Sequence, residues 1–292
     1  MNTKKSATLL VVLAASFWGA LGITVKVLSG YGLSPIQMVV AKLFVSVILL
    51  GVYLMITDIN KLKLAKKDIK WFVGTGILSI LFYNTCYCAA IQLTSLSVAA
   101  VLLYTSPIFV TLFSVPIFKE KITRVKLLAI LFSVIGCALV SGLLSNTKVD
   151  ISIKGIFLGV CAAIGYAFYG ILAKILIKKY HSLTILFYSF LFASIGGLFA
   201  CDIKGIIGIA MNAPISIIAI IITALLCNII PYILFTTALK HIKASKVSII
   251  ASIEPVVATL IGFIAFDESI TFVNILGIAC VLFAIRILSK ES

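Results

Sequence analysis

The chain has 292 residues, of which 62% are hydrophobic and only 11% are charged, whereas a soluble domain is typically about 45–50% apolar and about 25% charged. This composition excludes a water-soluble globule. The net charge of +15 does not indicate a nucleic-acid partner, because the lysines form short clusters between apolar runs and not one basic face. The seven cysteines include no CxxC pair, so we expect no metal site, no disulfide framework and no cofactor.

Ten apolar runs are long enough to cross a bilayer, which takes about 20 residues of helix. None alternates polar and apolar residues like a membrane β-strand, so the predicted fold class is an all-α polytopic membrane protein with ten transmembrane helices. The first run exceeds the about 7–15 apolar residues of a signal peptide and has no convincing cleavage site, so we expect it to be retained. The runs cover residues 7–28, 35–57, 71–91, 96–118, 125–144, 153–177, 183–201, 214–239, 246–266 and 270–288.

The lysine and arginine residues indicate how these helices are oriented. If the N-terminus lies inside, 19 Lys and Arg residues fall in or beside the cytoplasmic connections, Lys42 falls within a helix, and only four lie on the other side. Cytoplasmic loops carry such an excess, so the pattern predicts a multi-pass protein of the cell membrane with both termini in the cytoplasm. The four residues on the outer side are Lys26, Lys148, Lys154 and Lys204.

An internal repeat explains the number of helices. Pro107 matches Pro255 and Glu120 matches Glu268, each at an offset of 148 residues. Because each half contains an odd number of helices, the second half enters the membrane upside-down, an architecture typical of secondary transporters with a site at the interface between the repeats. The two predicted five-helix repeats cover residues 1–148 and 149–292.

The two matching segments, YTSPIFVTLFSVPIFKEKIT (104–123) and SIEPVVATLIGFIAFDESIT (252–271), and the motif WGALGITVK (18–26) resemble the drug/metabolite transporter superfamily, EamA type. The resemblance covers essentially the whole chain. It implies a ten-helix transporter, but not one substrate, since relatives move amino acids, other metabolites, drugs or nucleotide sugars. Relatives often carry Arg in the second helix where this chain has Lys42, which offers a point charge and not a planar fork for a carboxylate.

Two charged side chains are predicted to lie deep within helices, where charge is costly and usually faces a cavity or a partner. Glu254 immediately precedes Pro255, and it is either a site for a cation or proton or a structural carboxylate that fixes the helix break. Lys42 either extends its side chain to the outer interface or lies in a cavity, where it meets a substrate carboxylate or pairs with Glu254. Both interpretations remain open for each residue.

Aromatic and amide side chains indicate a cavity wall. One face of the third helix carries Tyr83, Asn84 and Tyr87. One face of the eighth carries Asn228, Pro231 and Tyr232. At the offset of 148, Asn84 matches Tyr232 and Trp18 matches Tyr166, so these four residues are expected to face one another. The alternative for the aromatic residues is an interfacial belt or helix packing. The candidate substrate-binding residues are Trp18, Lys42, Tyr83, Asn84, Tyr87, Tyr104, Tyr166, Asn228, Tyr232 and Glu254, and the candidate helix breaks are Pro107, Pro231 and Pro255.

Other polar residues have simpler interpretations. Thr123 and Thr271 precede apolar runs and are expected to cap helix N-termini, while Glu120 and Glu268 help to fix the preceding turns. Lys26 and Lys174 lie near helix ends and are interpreted as interfacial anchors. Glycines expected to allow close approach of helices are Gly19, Gly22, Gly136, Gly159, Gly165 and Gly170.

The predicted function is secondary transport of a small organic substrate, specifically export of amino acids or related metabolites by alternating access. The alternative is a proton-coupled multidrug exporter. An enzyme is not expected, since HExxH, GxSxG and a P-loop are absent from the sequence, and the inverted repeat favours a gated single site over a channel. Since both repeats lie in one chain, a monomer in the lipid bilayer could function alone.

Overall fold

A computed structural model describes residues 3–142, 152–266 and 269–290, and these ranges are helical, with no strands. Eight of their helices are long and apolar enough to span a membrane. Two shorter helices, the fifth and seventh in chain order, pack within the same bundle. The helices are α1 (Lys4–Gly30), α2 (Pro35–Thr57), α3 (Lys66–Leu93), α4 (Leu96–Phe118), α5 (Arg124–Val140), α6 (Ile153–Leu176), α7 (Ser182–Gly197), α8 (Ile215–His241), α9 (Ala244–Phe266) and α10 (Phe272–Lys290).

The seventh helix differs from the prediction, because α7 ends at Gly197 and not at residue 201. A short helix, Ile203–Asn212, then connects α7 to α8. At about 1.5 Å per residue it is about 15 Å long, half of the apolar thickness of a bilayer. Its Ile206 and Ile209 side chains pack against a small apolar cluster that includes Met38. The short helix therefore lies against the bundle without crossing a membrane.

Helix irregularities occur at matching positions in the two halves. The α-helix of α4 stops at Leu103, and the corresponding helix of α9 stops at Ala251. Each stop lies four residues before a proline. The proline ring clashes with the carbonyl four residues earlier, and proline has no N–H to donate to it. π-helical segments interrupt α3 and α8, and the last residues of these segments are also 148 apart. The π-helical segments are Gly74–Leu81 and Ala224–Ile229.

Helix packing follows the same two-fold pattern. α1 packs against α8 and α9, and its repeat mate α6 packs against α3 and α4. α5 packs along α10, where a Cβ atom added at Gly136 would lie 2.8 Å from the carbonyl oxygen of Gly277. The expectation of close approach was wrong for Gly22 and Gly170, because nothing lies within 4 Å of an added Cβ there.

The face of the bundle where α1 begins and α10 ends, which we call the terminal face, is tied by polar contacts. Glu120 forms an ion pair of 3.0 Å with Lys126 and accepts a hydrogen bond of 2.5 Å from Ser245, and all three side chains are buried. Lys179 pairs with Asp68, and this hydrogen bond raises the pKa of the Lys179 ammonium. The terminal face is thus held by contacts between the two halves.

The predicted N-caps are confirmed: the Thr123 hydroxyl accepts from the Lys126 N–H at 3.2 Å, and the Thr271 hydroxyl accepts from the Asn274 N–H at 3.2 Å. The matching Glu268 lies outside the described residues. Lys174 is half-buried and donates to backbone carbonyls at the end of α8. The interpretation of Lys174 as an interfacial anchor was therefore wrong, because unpaired carbonyls at a helix C-terminus attract the ammonium group.

The two faces of the bundle are packed differently. At the terminal face, the Ser106–Phe118 segment of α4 packs against the Ala244–Ala251 segment of α9. Toward the opposite face, Leu96–Leu103 packs mainly on α6, while Glu254–Phe266 packs mainly on α1, and no comparable contact between these two segments is found in the described ranges. These two helices therefore contact each other at the terminal face and diverge toward the opposite face.

Candidate substrate site

Glu254 lies at the break in α9, ten residues after Ala244, where this helix begins. At about 1.5 Å per residue this is about 15 Å along the axis, near the centre of a bilayer whose apolar core is about 30 Å thick. The side chain of Tyr104 lies beside the carboxyl group at the same small cavity, and no ion pair to Glu254 occurs among the described residues. Proline explains the position, because the break before Pro255 ends the first segment and leaves the side chain of Glu254 at a gap between helices.

A small cavity of about 10 Å³ adjoins this carboxyl group. The hydroxyl of Ser248, which lines it, is buried and has no hydrogen-bond partner within the described part of the chain. An unpaired buried hydroxyl is costly, and the cavity is about the size that one water molecule needs to bind to it. The other residues that line this cavity are Leu103, Tyr104, Ser106, Tyr166, Ala251, Ser252 and Glu254.

Lys42 lies seven residues into α2 and is half-buried. No carboxylate of the described residues lies within 4.0 Å of its ammonium group, so the predicted pair with Glu254 is not formed in this structure. Its titratable neighbours are the thiols of Cys88 and Cys227. Cys227 has both Lys42 and Glu254 as electrostatic neighbours, so both charges lie near this thiol.

Four of the predicted aromatic residues form one cluster. The Trp18 ring meets Tyr166 and Tyr232 edge to face, with centroids 6.4 and 5.2 Å apart. Tyr83 meets Tyr166 at 5.6 Å, and its hydroxyl lies 3.3 Å from that of Tyr232. The rings come from α1, α3, α6 and α8, so the cluster lies where the two repeats meet.

The third proline explains one contact of this cluster. Pro231 cannot donate a hydrogen bond to the carbonyl of Cys227, four residues earlier. The Trp18 indole N–H donates to that carbonyl at 3.2 Å. A conformational change of α8 at this site would therefore act directly on α1 through this hydrogen bond.

The predicted amides are placed differently from the aromatic residues. The Asn84 side chain donates to the Ile80 carbonyl of its own helix at 2.7 Å, and Asn228 donates to the Ser46 hydroxyl at 3.4 Å. Both side chains are buried, and Asn84 bonds within α3 whereas Asn228 joins α8 to α2. Tyr87 is half-buried and has Glu254 as an electrostatic neighbour.

Three aromatic residues extend the cluster beyond the predicted set. The Tyr169 ring lies 4.8 Å from Tyr232, and its hydroxyl lies 2.7 Å from that of Thr236. Phe235 packs on Trp18 at 5.5 Å, and Phe190 packs on Tyr232 at 5.3 Å. The spacing of Tyr169 from Tyr166, one helical turn, was a signal that could have identified it.

Comparison with known proteins decides the family. Residues 5–142 and 153–290 each match the EamA-like transporter family. The chain belongs to this family. It is 27% identical over 289 residues to an uncharacterized transporter of Clostridium kluyveri, covering 95% of this chain and 91% of the relative. It is 30% identical over 205 residues to one of Archaeoglobus fulgidus, covering 70% and 71%.

A solved crystal structure shares the fold of this EamA-like transporter, with a TM-score of 0.79 over 99% of each chain at 14% identity. The apolar helices and the family together make the chain a multi-pass membrane protein that acts as a transporter. Since the most similar relatives are themselves uncharacterized transporters, the choice of substrate has to be argued from the site.

Proposed function

We propose that this EamA-like transporter exports amino acids or related zwitterionic metabolites across the cell membrane, by alternating access of its two inverted halves. The observation that carries the proposal is the pair of charges, Lys42 and Glu254, which have no ion-pair partner among the described residues and share Cys227 as an electrostatic neighbour. Each charge costs roughly 2.5–3.5 kcal/mol or more to keep within the membrane. An amino acid would compensate both, with its carboxylate at Lys42 and its ammonium at Glu254.

The surroundings of the two charges support a small substrate. The rings of Trp18, Tyr83, Tyr166 and Tyr232 provide apolar faces for a side chain, and an aromatic face attracts an ammonium group. Near Glu254, the unpaired hydroxyl of Ser248 is an additional hydrogen-bonding group. Polar groups at two points with aromatic surfaces beside them are typical of sites that orient a small organic molecule.

The direction of transport in this proposal depends on orientation. The excess of Lys and Arg on the terminal face favours a cytoplasmic location for that face and for both termini. The face at which α4 and α9 make fewer contacts with each other then lies outside. Both repeats are present in one chain, and we therefore propose a functional monomer.

The second candidate is a proton-coupled multidrug exporter. It is favoured by the single carboxyl group of Glu254 near the centre of the bundle, which could carry the proton, and by the aromatic cluster, which could hold apolar cations. In that case Glu254 alone is essential, and Lys42 has no substrate carboxylate to bind.

Counterflow of radiolabelled amino acids in liposomes tests the proposal with Lys42→Met and Glu254→Gln. Both variants should lose at least nine-tenths of exchange, because each removes one of the two complementary charges. Lys26→Met is the matched control for the lysine, since its ammonium is exposed and lies over the Phe266 ring at 4.3 Å. Asp58→Asn is the control for the carboxylate, since Asp58 lies beyond the end of α2 with 37% of its side chain exposed.

The outcomes separate the two candidates. Full exchange by Glu254→Gln or by Lys42→Met, with melting in detergent unchanged from the parent protein, would refute the zwitterion site. Uptake of cationic dyes driven by a pH gradient, lost in Glu254→Gln and kept in Lys42→Met, would favour the multidrug candidate. Amino-acid exchange that persists in Glu254→Gln but no longer responds to a pH gradient would assign Glu254 to protons and leave binding to Lys42.

A further inference from the structure

A second cavity of about 680 Å³ lies away from the candidate substrate site, between α2, α8 and the connection that joins α6 to α7. We call it the terminal groove, because it reaches the terminal face. Its volume lies within the about 300–1,000 Å³ of typical ligand pockets. Its wall on α8 is formed by residues four positions apart, which share one helix face: Leu225, Ile229, Ile233, Thr237 and His241.

The terminal groove has an apolar floor and a polar mouth. From Leu225 to Ile233 its wall on α8 is apolar over about 12 Å, at about 1.5 Å per residue. That length is close to the thickness of the apolar part of one leaflet, which is about 15 Å. Toward the terminal face the residues become Lys240, His241 and His181, and all three are exposed.

The mouth carries positive charge without a matching acid in its lining. No Asp or Glu lines the terminal groove within the described residues. Partial burial and the charges of Lys61 and Lys240 lower the pKa of His181, and the opposing Asp58 is paired with Lys61 at 3.4 Å. The mouth thus has a positive potential that would attract an anion.

We propose that the terminal groove binds one anionic phospholipid from the leaflet at the terminal face. Its acyl chain would lie along the apolar floor, and its phosphate would meet Lys240 and His241. Tyr53, which is exposed at the mouth, is suited to the level of the headgroups, where tyrosine is enriched in membrane proteins. Charge and length together favour this occupant over a soluble anion, which leaves the apolar floor uncovered, and over a neutral lipid, which leaves the basic mouth unmatched.

Native mass spectrometry of the purified transporter in detergent tests the proposal, with phosphatidylglycerol, phosphatidylcholine of the same acyl chains, and glycerol phosphate as separate probes. We expect one phosphatidylglycerol to bind more tightly than phosphatidylcholine. Lys240→Gln should weaken that binding about fivefold, as expected for one lysine at an anionic surface. Leu225→Trp should weaken it further by filling the floor, and its melting in detergent is compared with that of the parent protein because Leu225 is only 37% exposed.

Lys121→Gln is the control, since Lys121 is exposed on the terminal face but does not line the groove. Bound phosphatidylglycerol should also raise the pKa of His181, measured by NMR, because its phosphate counters Lys61 and Lys240. Equal affinity for the two lipids, or unchanged binding by both Lys240→Gln and Leu225→Trp, would overturn the proposal. Full competition by glycerol phosphate would instead assign the mouth to a soluble anion and equally overturn it.

Discussion

Removing one partner of the buried ion pair at the terminal face should destabilise the transporter strongly. Glu120 and Lys126 are 8% and 3% exposed, and their charged atoms lie 3.0 Å apart. Glu120→Gln leaves the ammonium of Lys126 buried with only neutral acceptors, the Lys121 carbonyl and the new amide oxygen. Breaking a buried pair in this way costs about 3–5 kcal/mol, because the remaining charge has lost its counter-charge but not its desolvation.

A second pair provides the control. Asp58 and Lys61 lie 3.4 Å apart with side chains that are 37% and 31% exposed, so solvent screens their attraction. Asp58→Asn should therefore cost about 0–1 kcal/mol. The double variant Glu120→Gln with Lys126→Met should cost less than the sum of its single changes, because no charge is then left buried.

Unfolding in mixed micelles at increasing denaturant, followed by tryptophan fluorescence, gives the free-energy differences. The expected order of loss is Glu120→Gln above the double variant, and the double variant above Asp58→Asn. A loss for Glu120→Gln that is within about 1 kcal/mol of the loss for Asp58→Asn would refute the argument, since burial would then add nothing to the cost of the lost charge.

Two further predictions concern packing and topology. Gly136→Ala should destabilise the protein by about 1–3 kcal/mol, because the new Cβ meets the Gly277 carbonyl. Gly170→Ala has free space for its Cβ and should raise stability by about 0.5–1 kcal/mol. Thermal melting of the two variants in detergent compares these effects. Cysteine at Asn60 should be shielded from an impermeant external thiol reagent, and cysteine at Asn146, outside the described residues, should react; the reverse pattern contradicts the proposed orientation.

The main features of the fold could be predicted from sequence because membrane helices are marked by composition. The ten apolar runs lie within about five residues of the helices, and the largest differences are at the start of the third helix and the ends of the fifth and seventh. Pro107 and Pro255 made the repeat visible, since proline is rare within helices and two of them at the repeat offset mark a shared break.

Several details could not be predicted, because tertiary contacts decide them. The π-helical segments have no sequence signal of their own. Asn84 looks like a cavity residue by spacing, yet it donates to a carbonyl of its own helix. The contact of Trp18 with the Cys227 carbonyl needs both the proline-freed acceptor and the approach of α1 to α8, which no single helix reveals.

The fold is symmetric, but the candidate site is not. At the repeat offset, Lys42 corresponds to Phe190, which is fully buried against Tyr232, and Glu254 corresponds to Ser106, which lines the same small cavity as Glu254. Each half therefore contributes one charge, and neither charge has a charged mate. A symmetric site would hold a dipolar substrate equally well in two opposed orientations. With a cation from the first half and an anion from the second, only one orientation of the substrate satisfies both charges. The proposed zwitterion would keep that orientation while the two halves move and open the site to one side of the membrane and then to the other.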